Sequence, residues 1–184
     1  MFGLERMKAP VLTILFFLLL LSLGCNDSSS KNYSPPVQNL NLKPVNTEDD
    51  IKMLRTMVKE DPENLNAWIR LGNILMDSKR FTEAIEAYAR ALELDPRNVN
   101  VRVDMGTCYR NTGQPERAVE EYRKALTYNP KHLYAHKNLG VVLAYDLNRI
   151  KEAIPEFETY LKLSPTAPDA EQVKTALNEL RQRI

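Results

Sequence analysis

Between Ile51 and Leu180, apolar residues return every three or four positions, the spacing of helices that bury one face. The pattern is plainest at Ile85, Tyr88 and Leu92, at Val119, Tyr122 and Leu126, and at Ile154, Phe157 and Leu161. Breaks fall at Pro62, Pro96, Pro130 and Pro165, where the missing N–H and the restriction on the preceding residue end a helix. The spacing predicts helices over 48–60, 65–77, 81–94, 99–111, 115–128, 133–145, 150–163 and 169–182. Upstream the texture changes twice. Val11 to Leu23 is an apolar run broken only by Thr13 and Ser22, and 26–46 is a polar stretch with Ser28, Ser29, Ser30, Ser34, Pro35, Pro36 and Pro44 and no helical period.

The helical part repeats. Trp68, Leu71, Gly72, Ala84, Tyr88, Ala91 and Pro96 are followed 34 positions later by Arg102, Met105, Gly106, Ala118, Tyr122, Ala125 and Pro130. A third copy has His136, Leu139 and Gly140 and then, after one inserted residue, Ala153, Phe157, Tyr160 and Pro165. These residues at these spacings resemble the tetratricopeptide repeat (TPR) family. The resemblance implies an all-α fold, a right-handed superhelix of helix-turn-helix units with a concave face lined by the first helices. The glycines and alanines are expected to let paired helices approach closely, and the aromatics to fill the space between units. Asn64 and Asn98 are placed to cap helices, Thr47 to Asp50 resembles a capping box, and Pro155 is expected in the first turn of its helix. The extra residue of the third unit is expected in the turn near Asp146 to Arg149.

The amino-terminal run is too short for a permanent membrane span, at about 20 Å of helix against a bilayer core of about 30 Å. Arg6 and Lys8 precede it and Gly24-Cys25 closes it. The arrangement is similar to a secretory leader of the bacterial lipoprotein type, in which the cysteine receives lipid, although Ser22 stands where that type prefers Leu. Translation from Met1 and from Met7 both give a leader. The expected organisation is a signal peptide at 1–24, lipidated Cys25 with a tether at 25–46, a capping helix at 47–64, repeats at 65–98, 99–132 and 133–167, and a final capping helix at 168–184. The tether would span about 25 Å on average. Asn26, in place of the Asp of the enterobacterial retention signal, points to the outer membrane, with the domain facing the periplasm.

Charge adds little. The chain carries 25 basic and 24 acidic side chains, and loss of the leader takes away Arg6, Lys8 and Glu5, leaving no net charge. That balance argues against nucleic-acid binding, which wants a basic face, and leaves membrane attachment to acyl chains. The six glycines are all absorbed by the leader, the repeats and one turn at Gly113, so none remains for a phosphate-cradling loop. His132 and His136 share a helical face without an evident third ligand, and Cys108 reads as a buried structural thiol. Neither a metal, a cofactor nor catalysis is expected.

The candidate groove positions are Asn66, Ile69, Asn73, Met76 and Asp77, then Asn100, Val103, Thr107, Arg110 and Asn111, then Tyr134, Lys137, Val141, Ala144 and Tyr145. The asparagines offer paired donors and acceptors to an extended backbone, Arg110 and Lys137 could take a carboxylate, and Tyr134 and Tyr145 offer contact area. Family members that grip acidic chaperone C-termini have a lysine where Ile69 stands, so that ligand is not carried over. The expected role is a lipid-anchored scaffold or assembly factor of the bacterial cell envelope, binding a partner peptide or protein in its groove. The alternatives are a self-associating structural protein, or an accessory subunit for cytochrome c maturation or for pilus or secretion assembly.

Overall fold

The computed structural model describes residues 47–184; the expected leader, Cys25 and the tether lie outside the described residues. Among those described there are eight α-helices and no strand: α1 Thr47–Glu60, α2 Leu65–Asp77, α3 Phe81–Leu94, α4 Val99–Asn111, α5 Pro115–Tyr128, α6 Leu133–Val141, α7 Ile150–Leu163 and α8 Ala170–Arg181. Each helix packs on its neighbours in sequence, and the first helices of successive units, α2, α4 and α6, also touch. None is long and apolar enough to cross a membrane.

One capping bond starts each unit. Asn64 Oδ1 accepts from the Ala67 N–H at 3.0 Å, and Asn98 Oδ1 from the Val101 N–H at 3.2 Å. The third unit uses His132, whose Nδ1 accepts from the Ala135 N–H at 3.1 Å. All three satisfy one otherwise orphaned donor of the first turn. α1 carries Glu48, Asp49 and Asp50 in its first turn, where the helix dipole favours acid.

Close helix pairing comes from glycine facing an aromatic ring. A Cβ added at Gly72 would lie 2.4 Å from the Tyr88 ring, at Gly106 2.7 Å from Tyr122, and at Gly140 2.9 Å from Phe157. Each aromatic therefore sits over the glycine of its own unit, and so within the unit as well as towards the next. The hydroxyls then need partners. Tyr88 donates to Asn73 Oδ1 at 2.8 Å, and the Tyr122 hydroxyl lies 3.1 Å from Thr107 Oγ1. In the third unit the ring is Phe157 and the facing residue is Val141, so both polar groups are gone together.

A second position shows the same bookkeeping. Trp68 Nε1 donates to the Pro62 carbonyl at 2.8 Å, Arg102 Nη2 to that of Pro96 at 2.7 Å, and His136 Nε2 lies 2.9 Å from that of Pro130. Three different side chains supply the same N–H to the carbonyl six residues back. The indole needs nothing more and faces a unit with Ala87. Arg102 reaches buried Glu121 at 2.7 Å, and His136 reaches Glu156 at 2.6 Å, at the corresponding positions of the next two units.

The inserted residue is absorbed before the expected turn, in a π-helical turn Val142–Asp146 that continues α6. The three turns inside the units keep one form, with positive φ at Lys79, Gly113 and Asn148. In each, the next N–H returns to an equivalent carbonyl, Arg80 to Leu75, Gln114 to Tyr109 and Arg149 to Leu143. Conserving that closure leaves the extra residue nowhere to go but the preceding turn, where the Leu147 N–H bonds the Val142 carbonyl five residues back. Pro155 is also displaced from expectation. It is the sixth residue of α7, not a first-turn residue, and it is tolerated on an exposed face where the unbonded Lys151 carbonyl meets water. At the far end, Val173, Leu177 and Leu180 of α8 are buried against the last unit.

Candidate peptide-binding trough

Because α2, α4 and α6 lie side by side, their equivalent faces form one surface. A trough of about 620 Å³ opens there, within the size range of sites that take small ligands or several side chains. Ile69, Asn73, Asn100, Val103 and Tyr134, five of the groove positions read from sequence, line it together. Val103 is buried and forms floor, while Tyr134 is exposed at the rim. Asn66, Asn111 and Tyr145 are exposed on the same helices or in the π turn, outside this trough, and Ala144 is buried by that turn. Met76 lies within 3.9 Å of the Tyr88 hydroxyl.

Asn98, Val101, Asp104, His132 and Asn138 also line the trough and were not among the sequence candidates. Asn98 and His132 had a signal, being 34 residues apart in the capping position. Asp104 and Asn138 share one repeat phase with Arg70, a position that reads as solvent-facing until the helices are stacked.

The electrostatics differ from the sequence reading. Arg110 is held by Asp146 through Nε at 2.5 Å, and Lys137 by Asp169 through Nζ at 2.9 Å, so both cations expected to receive a carboxylate are already paired. Lys137 also lies over the Tyr134 and Tyr160 rings. Tyr160 donates to the same Asp169, and these bonds hold that carboxyl below the usual range. Asp104, by contrast, has no hydrogen-bond or ion-pair partner among the described residues. Burial first, and then the Asp77 carboxylate, push its carboxyl up from 3.8 to about 6. His132 is held below the usual imidazole range by burial and then by His136. With Nδ1 accepting the capping bond, its proton sits on Nε2, which donates to Asn100 Oδ1 at 3.0 Å.

Among the described residues no group of three or more His, Cys, Asp or Glu could hold a metal ion. Cys108 is fully buried, and burial followed by Asp104 pushes its thiol up to about 12, which suppresses the thiolate. The arrangement can bind; its equipment is amides, one carboxylate, an aromatic rim and an apolar floor.

No curated protein matches the chain in sequence. Solved structures do match in fold. A crystal structure of MamA aligns with a TM-score of 0.69 at 21% identity, over 74% of this chain and 79% of that one. The TPR domain of Arabidopsis OM64 gives 0.59 at 22% identity, over 64% and 96%. The first TPR of Spaghetti (RPAP3), solved bound to the HSP90 peptide SRMEEVD, gives 0.59 at 20% identity, over 65% and 94%. These likenesses establish the TPR fold. Residues 41–173 match the family described as "Cytochrome c-type biogenesis protein H TPR domain", and the chain belongs to that family.

Proposed function

We propose that this protein is a membrane-anchored scaffold of the bacterial cell envelope that holds a segment of a client protein in its trough during cytochrome c assembly. The observation that carries the reading is the trough itself, built from three successive first helices and lined by Asn73, Asn98, Asn100 and Asn138 over an apolar floor. Amides on a fixed scaffold can meet the donors and acceptors of an extended chain, and a preformed surface loses little freedom on binding. The family's name supports cytochrome c biogenesis as the setting. Lipid on Cys25 would supply the anchor, and 26–46 the tether.

Deletion of the gene, with add-back of wild type, Cys25→Ser and the rim variant Tyr134→Ala/Asn138→Ala, tests this. Haem-stained gels should show membrane c-type cytochromes falling in the deletion and in the rim variant. Normal cytochrome levels in the deletion would refute the assembly role. Labelled palmitate should enter wild type and not Cys25→Ser; equal labelling would reject Cys25 as the site.

A further inference from the structure

We propose that the trough selects a basic side chain: a lysine or arginine of the bound segment pairs with the Asp104 carboxylate. This rests on the reading of the trough as the binding surface and names what it recognises.

The charges on the concave side are unequal. Arg110 and Lys137 are spent on Asp146 and Asp169. His132 is neutral by its capping role, and its one proton is committed to Asn100. Asp104 stands in the trough with no counter-charge. The adjoining depression, which shares Asn73, adds Asp50 and Asp77 against the single cation Arg70. Asp77 is also the last residue of α2, where the helix dipole is negative. A half-buried carboxylate without a partner is costly to maintain, and a cation from a ligand removes that cost.

The surroundings suit such a visitor. Asn138 offers its amide oxygen to the remaining N–H groups of an ammonium or guanidinium, and Asn73 and Asn100, whose oxygens already accept from Tyr88 and His132, each keep a second lone pair. Ile69 and Val103 give apolar surface for its methylene stem, and the exposed Tyr134 side chain adds contact area at the rim. An acidic segment would meet Asp104 and Asp77 and find no free cation in the trough.

The test uses the full chain in detergent and pools of acetylated, amidated decapeptides with one fixed central residue and mixed flanks. Binding is read by fluorescence anisotropy. Pools fixed as Lys or Arg should bind at least tenfold tighter than those fixed as norleucine or Glu. In Asp104→Asn, which keeps shape and should fold, the preference should shrink to less than threefold with an unchanged far-UV CD spectrum. Preference for Glu, equal binding of all pools, or a basic preference that survives in Asp104→Asn would overturn the inference while leaving trough binding intact. Binding of no pool would sink both. Tighter retention of the chain's own 26–46 peptide, which carries Lys31 and Lys43, would place the occupant in cis and overturn the assignment to a partner.

Discussion

Replacing Asp104 by asparagine should stabilise the fold at neutral pH, the opposite of what removing a charged hydrogen-bonding group usually does. The carboxyl has been moved from 3.8 to about 6 by burial and by Asp77. At about 1.4 kcal/mol per pH unit, ionisation in the folded state would cost about 3 kcal/mol if the site were sealed. Asp104 lines an open trough, so solvent screening reduces this to about 1–2 kcal/mol. The direction follows from proton counting. Between pH 3.8 and about 6 the folded state keeps a proton that the unfolded chain has lost, so stability falls as pH rises and levels off above about 6. Of the groups facing Asp104, Asp77 is the charged one, while Tyr88, Cys108 and Tyr122 are all pushed up, mainly by burial, and stay neutral. Urea unfolding followed by far-UV CD at pH 4 and pH 7 reads the effect as a difference between wild type and Asp104→Asn. The variant should gain about 1–2 kcal/mol at pH 7 and almost nothing at pH 4. A loss of stability at pH 7, or a gain of equal size at both pH values, would refute the reasoning.

Other substitutions test the packing. Gly106→Ala drives a methyl into the buried Tyr122 ring, 2.7 Å from its nearest atom, and should cost about 2–3 kcal/mol in the same urea titration. Lys79 occupies a left-handed turn position at φ 60°, so Lys79→Gly should gain about 0.5–1 kcal/mol, while Gly113→Ala at φ 73° should lose a similar amount. His132 caps α6 only while neutral and its folded value lies below 6.5, so its contribution is present above about pH 6.5 and fades as pH falls further. His132→Asn should keep the cap and flatten that acid slope, measured as hydrogen-exchange protection of the Ala135 amide.

The fold was legible because the 34-residue period fixes several things at once. Gly72 with Tyr88 announces a close helix pair, and its two echoes repeat the message, which is why helix ends read from sequence fall within a residue of those observed except at α6, which stops at Val141 rather than at 145 where the π turn takes over. The π turn was not legible, because Val142 to Asp146 contains no glycine or proline to mark it and an insertion can be placed anywhere between two conserved closures. The trough was legible only in part. Ile69, Asn73, Asn100, Val103 and Tyr134 follow from the phase of a first helix. Asp104 was not legible, because the repeat phase it shares with Arg70 and Asn138 reads as solvent-facing until the helices stack. The pairings that remove Arg110 and Lys137 span 36 and 32 residues, close to one repeat. Phase alone places Asp146 and Asp169 in the neighbourhood, but only stacked helices show that the side chains meet.

The concave surface as the place where a client is held is tested most directly by photocrosslinking in living cells. A benzoylphenylalanine is placed at Tyr134 on the trough rim or at Glu120, an exposed position of the second helix α5. The expected result is a discrete higher-mass adduct from position 134, absent from position 120 and weaker in the Asp104→Asn background. Adducts from position 120 with none from position 134 would contradict the binding role of the trough.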